Sequence, residues 1–378
     1  MRLTYLLLSP TFGMHQYTAD LANRMADHFD VSLVTVDSCP RDRYSPAVAM
    51  QTPVALSNTG LSPEGLRFGG LARVKQALAE TRADVVHITG PHLWNLALVR
   101  WLGRQGIPVI HTIHDLDPHH GTSYGRLLHL WNWAIIRWVD HLLVHGEKYR
   151  QRVITAGRRP DEVTSTPLTH LFVGYEMGRR LAAQDVEAVY EPMILFFGRQ
   201  EQYKGVDILL AAYERLKGRL GRAQPGPDLR LVLAGPGGAY KDRFADVLPD
   251  VEWRNHLIGD EEGVDLFRRC AVVALPYRDA TQSAVVAAAY FFQKPVIVTD
   301  VGALAEYVEP GKTGLVVQGE DMVEAITDAL SYVLTTPDQR IMGLAGRAWY
   351  DDRRARETRQ LTVLYQRMAE LNKSLRTR

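Results

Sequence analysis

Cysteine is almost absent. Cys39 and Cys270 are the only two in 378 residues, far apart in sequence, so a disulfide framework is excluded and a reducing cytosol fits. Net charge is equally scant, with 44 Lys and Arg against 43 Asp and Glu, a formal balance of +1. No global field draws the chain to nucleic acid, and an anionic partner must be met by a local pocket. No apolar stretch approaches the roughly 20 residues that cross a bilayer, which excludes an integral protein of the helical kind. The apolar Met1–Leu8 is short, carries no small-residue cleavage site and runs into Pro10-Thr11-Phe12-Gly13. It reads as a first buried strand and not as a leader. Low-complexity tracts and short-period repeats are also lacking.

What is present is a regular alternation. Hydrophobic residues make up 46% and charged residues 23%, the balance of a soluble globular protein long enough for two domains. Strand-like runs at Leu3–Leu8, Val31–Val36, Val85–Ile88, Val109–His111 and His141–Val144 are separated by helix-length patterns. The second half repeats this with Met193–Phe197, Leu229–Ala234, Val272–Leu275, Pro295–Thr299 and Gly314–Val317. Such alternation predicts βαβ units, parallel sheets and an α/β fold, with ligand crevices at the carboxyl ends of the strands. Strand-like Leu171-Phe172 ends the first half, and a polar connector with Gly178-Arg179-Arg180 leads to Pro192. The expected domains are therefore 1–175 and 190–340, followed by a helical tail, 341–378, that packs back toward the first domain. Its charge is mixed, so an amphipathic packing helix is preferred to a nucleic-acid binder.

The strongest motif is Phe196-Phe197-Gly198-Arg199-Gln200-Glu201-Gln202-Tyr203-Lys204-Gly205, a strand, a glycine-bearing loop with two permanent cations, and a helix start. Backbone N–H groups and the Arg199 and Lys204 charges suit a diphosphate, although a solvated loop with incidental cations would read the same way. Gly235-Pro236-Gly237-Gly238 follows another strand, and Leu257-Ile258-Gly259 precedes a further helix, where the Ile258 backbone could hold a nucleobase. Ala280-Thr281-Gln282-Ser283 opens a helix with polar side chains and first-turn N–H groups, a second natural anion site, unless Thr281 is only its N-cap. Lys294-Pro295-Val296-Ile297…Thr299-Asp300-Val301-Gly302…Glu306…Gly314 completes the set.

These motifs together resemble the retaining glycosyltransferases of family 4, over nearly the whole chain. The resemblance implies the GT-B fold, two Rossmann-like doubly wound domains facing across a cleft. It implies that Arg199 and Lys204 hold the diphosphate of a nucleoside diphosphate sugar, UDP- or GDP-linked, and stabilise its departure without a metal. Gly13, Gly198, Gly235, Ile258, Thr281, Gln282, Ser283 and Glu306 are the implied donor contacts, and no separate cofactor is implied. One departure stands out: the two glutamates the family usually carries eight positions apart fall at Ala280 and Ala288. Altered donor contacts, with Thr281, Gln282 and Ser283 substituting, are preferred to loss of activity.

Twelve of thirteen histidines lie at or before His170. The densest group, His111-Thr112-Ile113-His114-Asp115-Leu116-Asp117-Pro118-His119-His120, matches no closed zinc spacing, and no bound metal is expected. In the family a histidine follows such a strand, near the sugar, and His114 is the matching position. Gly13 keeps one of the family's paired loop glycines while Met14 replaces the other, and His15 and Gln16 would open the next helix toward the acceptor. Leu127–Trp138 is apolar on most faces and rich in tryptophan. A core helix is preferred there, with peripheral membrane contact as the alternative.

The expected activity is transfer of a hexose, with retention, from donor to a hydroxyl acceptor: a glycan, a lipid-linked sugar or a small molecule. A sugar-nucleotide epimerase on the same fold and a catalytically altered binding protein are the alternatives. The setting expected is cytoplasmic, including the inner face of a membrane.

Overall fold

A computed structural model describes residues 1–56, 68–116, 125–184, 188–220, 229–238, 240–244 and 248–376. Asp117, Pro118, His119 and His120 of the histidine-rich motif lie outside the described residues. The chain divides into two compact units, Met1–Arg180 with Arg354–Arg378, and Leu181–Arg353.

The first unit runs β1 (Arg2–Leu7), α1 (Phe12–Met25), β2 (Asp30–Val36), β3 (Ala49–Val54), α2 (Phe68–Thr81), β4 (Val85–Ile88), α3 (Asn95–Arg104), β5 (Val109–Ile113), α4 (Gly125–Trp138), β6 (His141–Val144), α5 (Glu147–Thr155) and β7 (Val163–Ser165). α6 (Tyr175–Ala182) straddles the boundary. The strands form one parallel sheet in the order β3-β2-β1-β4-β5-β6-β7. β1, β4, β5 and β6 are buried along almost their whole length. Both their faces are therefore covered, which is why they read as unbroken apolar runs.

The second unit runs β8 (Met193–Phe197), α7 (Val206–Leu220), β9 (Arg230–Ala234), α8 (Lys241–Phe244), β10 (Val251–Arg254), α9 (Asp260–Arg269), β11 (Val272–Leu275), α10 (Ala284–Phe291), β12 (Val296–Thr299), β13 (Gly314–Val317) and α11 (Met322–Thr335). Its parallel sheet is ordered β10-β9-β8-β11-β12-β13. Finally, α12 (Gln339–Arg376) starts in the second unit and ends in the first.

Each sheet reverses its winding once, between β1 and β4 in the first unit and between β8 and β11 in the second. The loops leaving those strand pairs flank the crevice where a doubly wound sheet receives a ligand.

All ten predicted strands are present, with two differences. β3, β7 and β10 are not among the predicted runs, and all three are sheet edges: β3 is mostly half-exposed and contains Pro53, β7 has three residues, and β10 is half-exposed over three of its four. Edge strands need no continuous apolar run and tolerate proline. Conversely, Leu171-Phe172 is not a strand, and the polar connector around Gly178 is helical, within α6.

Candidate active site

In the second unit the loop after β8 and the loop after β11 meet across the switch point. β8 is followed by Gly198, whose φ is +129° and whose N–H donates to the Ala234 carbonyl at 2.8 Å. A short 3-10 turn, Gln202–Lys204, follows and is closed by Gly205 at φ +65°. A β-carbon on Gly205 would lie 2.0 Å from the Pro276 carbonyl oxygen. That position demands glycine twice over, for the left-handed backbone and for the close approach of the β11 loop. Across the gap, the Arg278 N–H donates to the Tyr203 carbonyl at 2.7 Å, and its guanidinium pairs bidentately with Asp207, both contacts 2.7 Å.

Lys204 lies inside this junction. Its ammonium donates to the Tyr277 hydroxyl at 3.0 Å and sits 4.2 Å from the centre of that ring and 5.4 Å from that of Tyr203. Among the described residues no carboxylate pairs with it. Arg199 is 66% exposed and pairs with Glu201 at 3.0 Å. An ion pair that exposed is worth about 0–1 kcal/mol, so an incoming anion exchanges for Glu201 at little cost. The N-terminus of α7 contributes less than its sequence suggests. Arg278 holds the Asp207 carboxyl below the usual carboxylate range, aided by the N–H groups of Asp207 and Ile208. Those first-turn donors are already engaged, so the positive charge of the loop rests on Lys204 and on Arg199 in its exposed pair with Glu201.

Gly235 and Gly237 have φ of +140° and +142°. β-carbons there would come within 2.2 Å of the Gly198 carbonyl oxygen and 2.6 Å of the Gln200 β-carbon. The glycines therefore let the β9 loop lie against the β8 loop. Gln200, buried beneath it, donates through Nε2 to the Gly235 carbonyl at 3.1 Å and to Asn255 Oδ1 at 2.8 Å, tying in the loop after β10. Ile258 lies further along that loop, half-exposed, one residue before Gly259, the N-cap of α9.

The Thr281 segment differs in detail from its sequence reading. α10 begins at Ala284 and its N-cap is Ser283, whose hydroxyl accepts from the Val285 N–H at 3.4 Å, so Thr281 does not cap the helix. Thr281 is buried and its carbonyl accepts the Ala303 N–H at 3.0 Å, while Gln282 is half-exposed. Gly302, at φ +57°, packs its backbone on the Ala280 carbonyl, from which a β-carbon would be 1.7 Å away. Ala280 and Ala288 are 4% and 2% exposed. α10 is buried on nearly every side, so Ala288 belongs to a core helix. Glu306 stands exposed on the 3-10 turn after β12.

In the first unit, Gly13 is the second residue of α1, and nothing lies within 4 Å of where its β-carbon would be. No side chain caps that helix. His114 follows β5 directly and reaches across to the β4 loop, its Nε2 donating to the Thr89 carbonyl at 2.9 Å. Burial lowers its pKa against the opposing pull of Thr89 and Asp115, so the ring is neutral. With its single N–H spent on Thr89, His114 offers only the Nδ1 lone pair, a hydrogen-bond acceptor. Tyr17 packs edge-on against His114, His145 and His170 at 4.7, 5.3 and 5.7 Å.

His15 and Gln16 do not face outward toward an acceptor. His15 is fully buried, bonded through Nδ1 to the Tyr44 hydroxyl at 2.9 Å, with its pKa lowered by burial to about 4. Gln16 donates to the Phe172 carbonyl at 2.6 Å. The other buried histidines are likewise core members. His87 bridges Tyr365 and Thr112, both at 2.8 Å, and His145 donates to the Thr166 carbonyl at 3.0 Å. Among the described residues no three His, Cys, Asp or Glu side chains converge as a metal site.

Sequence reasoning missed Tyr277 as the partner of Lys204, Gln200 and Asn255 as the tie between the β8, β9 and β10 loops, and Tyr17 as the hub of the histidines. Tyr277 stood in plain view after a strand, but only the β8–β11 adjacency makes it a neighbour of Lys204.

The family model described as "Glycosyl transferases group 1" matches residues 191–336, and that described as "Glycosyl transferase 4-like domain" matches residues 12–169. A D-inositol 3-phosphate glycosyltransferase of Gordonia bronchialis is 27% identical over 363 residues, spanning 86% of this chain and 77% of the relative. One from Stackebrandtia nassauensis is 26% identical over 373 residues, 88% and 81% of the two chains. Among solved structures, a sucrose-phosphate synthase from Thermosynechococcus elongatus superposes with a TM-score of 0.72 at 20% identity, over 97% of this chain and 99% of its own. HepE of Anabaena, in complex with UDP-glucose, gives 0.65 at 15% identity over 99% and 100%. These likenesses fix the fold as two Rossmann-like domains of the GT-B class.

Proposed function

We propose that this chain, which belongs to the group 1 glycosyltransferases, moves a hexose with retention of anomeric configuration from a nucleoside diphosphate sugar to a hydroxyl acceptor. The observation that carries this reading is the loop at the second unit's switch point, which bears exposed Arg199 and, five positions on, tyrosine-held Lys204. A diphosphate entering there exchanges Glu201 for its own oxygens on Arg199 and gives Lys204 an anionic partner. As the bond from the anomeric carbon to the diphosphate breaks, charge builds on the leaving oxygen, and both cations stabilise it without a metal. The new bond forms to the acceptor oxygen on the same face, and the departing phosphate takes the acceptor's proton, so no side chain is needed as base. Gly198, Gly235, Ile258, Thr281, Gln282, Ser283 and Glu306 are proposed to line the donor, whose nucleotide is UDP or GDP. HepE's structure with UDP-glucose supports a uridine donor by analogy.

In the first unit, His114 is proposed to accept a hydrogen bond from a sugar hydroxyl, and Gly13 to admit the diphosphate to the bare start of α1. We place the enzyme in the cytoplasm and its acceptor among glycans, lipid-linked sugars and small molecules, with the first unit working against a membrane face.

Arg199→Ala and Lys204→Ala are each expected to abolish transfer, measured as nucleotide release from a panel of donor sugars, while circular dichroism stays unchanged. Near-normal turnover in both would overturn the reading. The epimerase alternative, which finds no support in the relatives named, would consume donor without acceptor. The buried alanines at 280 and 288 favour one second reading, a sugar-nucleotide binder without turnover. Thermal protection by UDP together with no release under any acceptor would establish it.

A further inference from the structure

A parallel sheet covered on both faces is normally lined with apolar side chains. One face of the first sheet carries polar groups across its middle strands instead. Tyr5 of β1 and His87 of β4 are register partners, and His87 in turn pairs with Ile110 of β5. Thr112, two positions beyond Ile110, therefore stands on the same face. Tyr365 of α12 and Tyr17 of α1 complete the set, and all five side chains are at most 3% exposed. They form one hydrogen-bonded line. The Tyr5 and Tyr365 hydroxyls lie 3.1 Å apart, and that of Tyr365 lies 2.8 Å from His87 Nδ1. His87 Nε2 is 2.8 Å from the Thr112 hydroxyl, which is 3.2 Å from the Tyr17 hydroxyl. Burial keeps His87 neutral, so its one N–H serves one neighbour and its lone pair the other. A member deprived of its neighbour would be a buried, unpaired polar group, so the line holds together as a unit.

Tyr17 is where the line meets the candidate site. Its ring packs edge-on against that of His114, with centroids 4.7 Å apart. Thr18, the next residue of α1, has its hydroxyl 2.7 Å from that of Thr89, and the Thr89 carbonyl accepts the His114 Nε2–H at 2.9 Å. Successive residues of α1 thus support His114 at its ring and, through Thr89, at its donor nitrogen. A ring contact is weakly directional, whereas a hydrogen bond fixes distance and angle, so the Thr112 bond is what locates Tyr17. We infer that Tyr17 is a positioning residue for His114, and that the line through Thr112 and His87 to Tyr365 sets where Tyr17 stands. No member of the line need touch substrate. The role rests on the sugar contact proposed for His114 and not on which sugar or acceptor is used.

The test compares the full chain with Tyr17→Phe, Tyr365→Phe and Thr112→Val, each of which removes one hydroxyl and keeps the side chain's bulk. Thr112→Ser, which keeps the hydroxyl, is the conservative control. Each of the three is expected to lower kcat/KM about three- to tenfold, and Thr112→Ser to stay within about twofold of wild type. In a His114→Ala background the three losses should shrink to about twofold or less, since the positioned residue is gone. Nitrogen NMR of the histidine rings should show the His114 resonances displaced in all three variants, including Tyr365→Phe at the far side of the line. Melting temperatures that fall while kcat/KM and the His114 resonances hold would show packing alone and overturn the inference. Losses that persist undiminished without His114 would also overturn it. Should one variant fail to fold, the other two interrupt the same line. Wild type that releases no nucleotide with any donor and acceptor defeats the transferase reading instead, and the His114 resonances still decide the line.

Discussion

Lys204 shows how a cation is kept available. A carboxylate partner would neutralise it and compete with an incoming anion, whereas the Tyr277 hydroxyl and the rings of Tyr203 and Tyr277 orient the ammonium without cancelling its charge. Tyr277→Phe keeps the ring and deletes one hydrogen bond. It is expected to lower kcat about tenfold with KM nearly unchanged, the loss of roughly one hydrogen bond to a charged group. Unchanged kcat would make Tyr277 a packing residue only. Arg199 and Lys204 were legible in the sequence because strand, glycine and cation spacing are local. Tyr277 was not, since its contact with Lys204 spans 73 positions. His114 was legible as a position, but its bond to Thr89, which makes it an acceptor, was not.

At the scale of elements, α12 is the most instructive. Its first half belongs to the second unit, where the backbone of Gly343 lies against Gln293 and Arg347 donates to the Phe291 carbonyl at 3.0 Å. Its second half belongs to the first unit. Arg354 pairs with Asp20 at 2.6 Å, Arg24 pairs with both Asp20 at 2.9 Å and Glu357 at 3.2 Å, and Thr169 donates to Glu357. Glu357 is only 2% exposed, so these charges depend on one another. Glu357→Ala leaves the Arg24 guanidinium with one carboxylate fewer in a buried setting. It should cost about 3–5 kcal/mol, read as a lowered urea midpoint of the first unit. A change below about 1 kcal/mol would mean that water or Asp20 compensates fully. The helical tail was readable from its amphipathic pattern. Its partners were not, because charge alternation along one helix does not reveal which distant acid each arginine meets.

The whole molecule carries an uneven distribution of titratable groups. Burial lowers the pKa of His15, His92 and His170 to about 4 and of His111 and His141 to about 3, and holds His87 and His145 well below the ordinary value. All lie in the first unit. Each is neutral when folded, but takes up a proton below pH ~6.5 once unfolded. The stability they contribute is thus complete above that pH and is lost as pH falls toward the folded values. The slope is about 1.4 kcal/mol per pH unit for each histidine. Asp20, lowered by Arg354 and Arg24 against the effect of its burial, loses its contribution in the more acid part of the same direction. The first unit is expected to unfold cooperatively between about pH 6 and 4.5, ahead of the second, which holds His256 as its one histidine. Thermal melts against pH, followed by tryptophan fluorescence, check this, and a flat midpoint from pH 7 to 5 would contradict it.

The sequence by itself determined two parallel-sheet α/β units, the ten apolar strands and the glycine-bearing loop with its two cations, because buried strands and tight glycine turns are written in neighbouring residues. Only the tertiary structure decided which loops meet. Parallel strands that adjoin in a sheet are separated by whole crossover helices, so the partnership of Lys204 with Tyr277, of Gln200 with Asn255 and of Glu357 with Arg24 left no local mark. The same holds for α4. Composition named it apolar, and only packing divided it into a face that buries Trp131 and Ile135 and one that exposes Leu130 and Trp133.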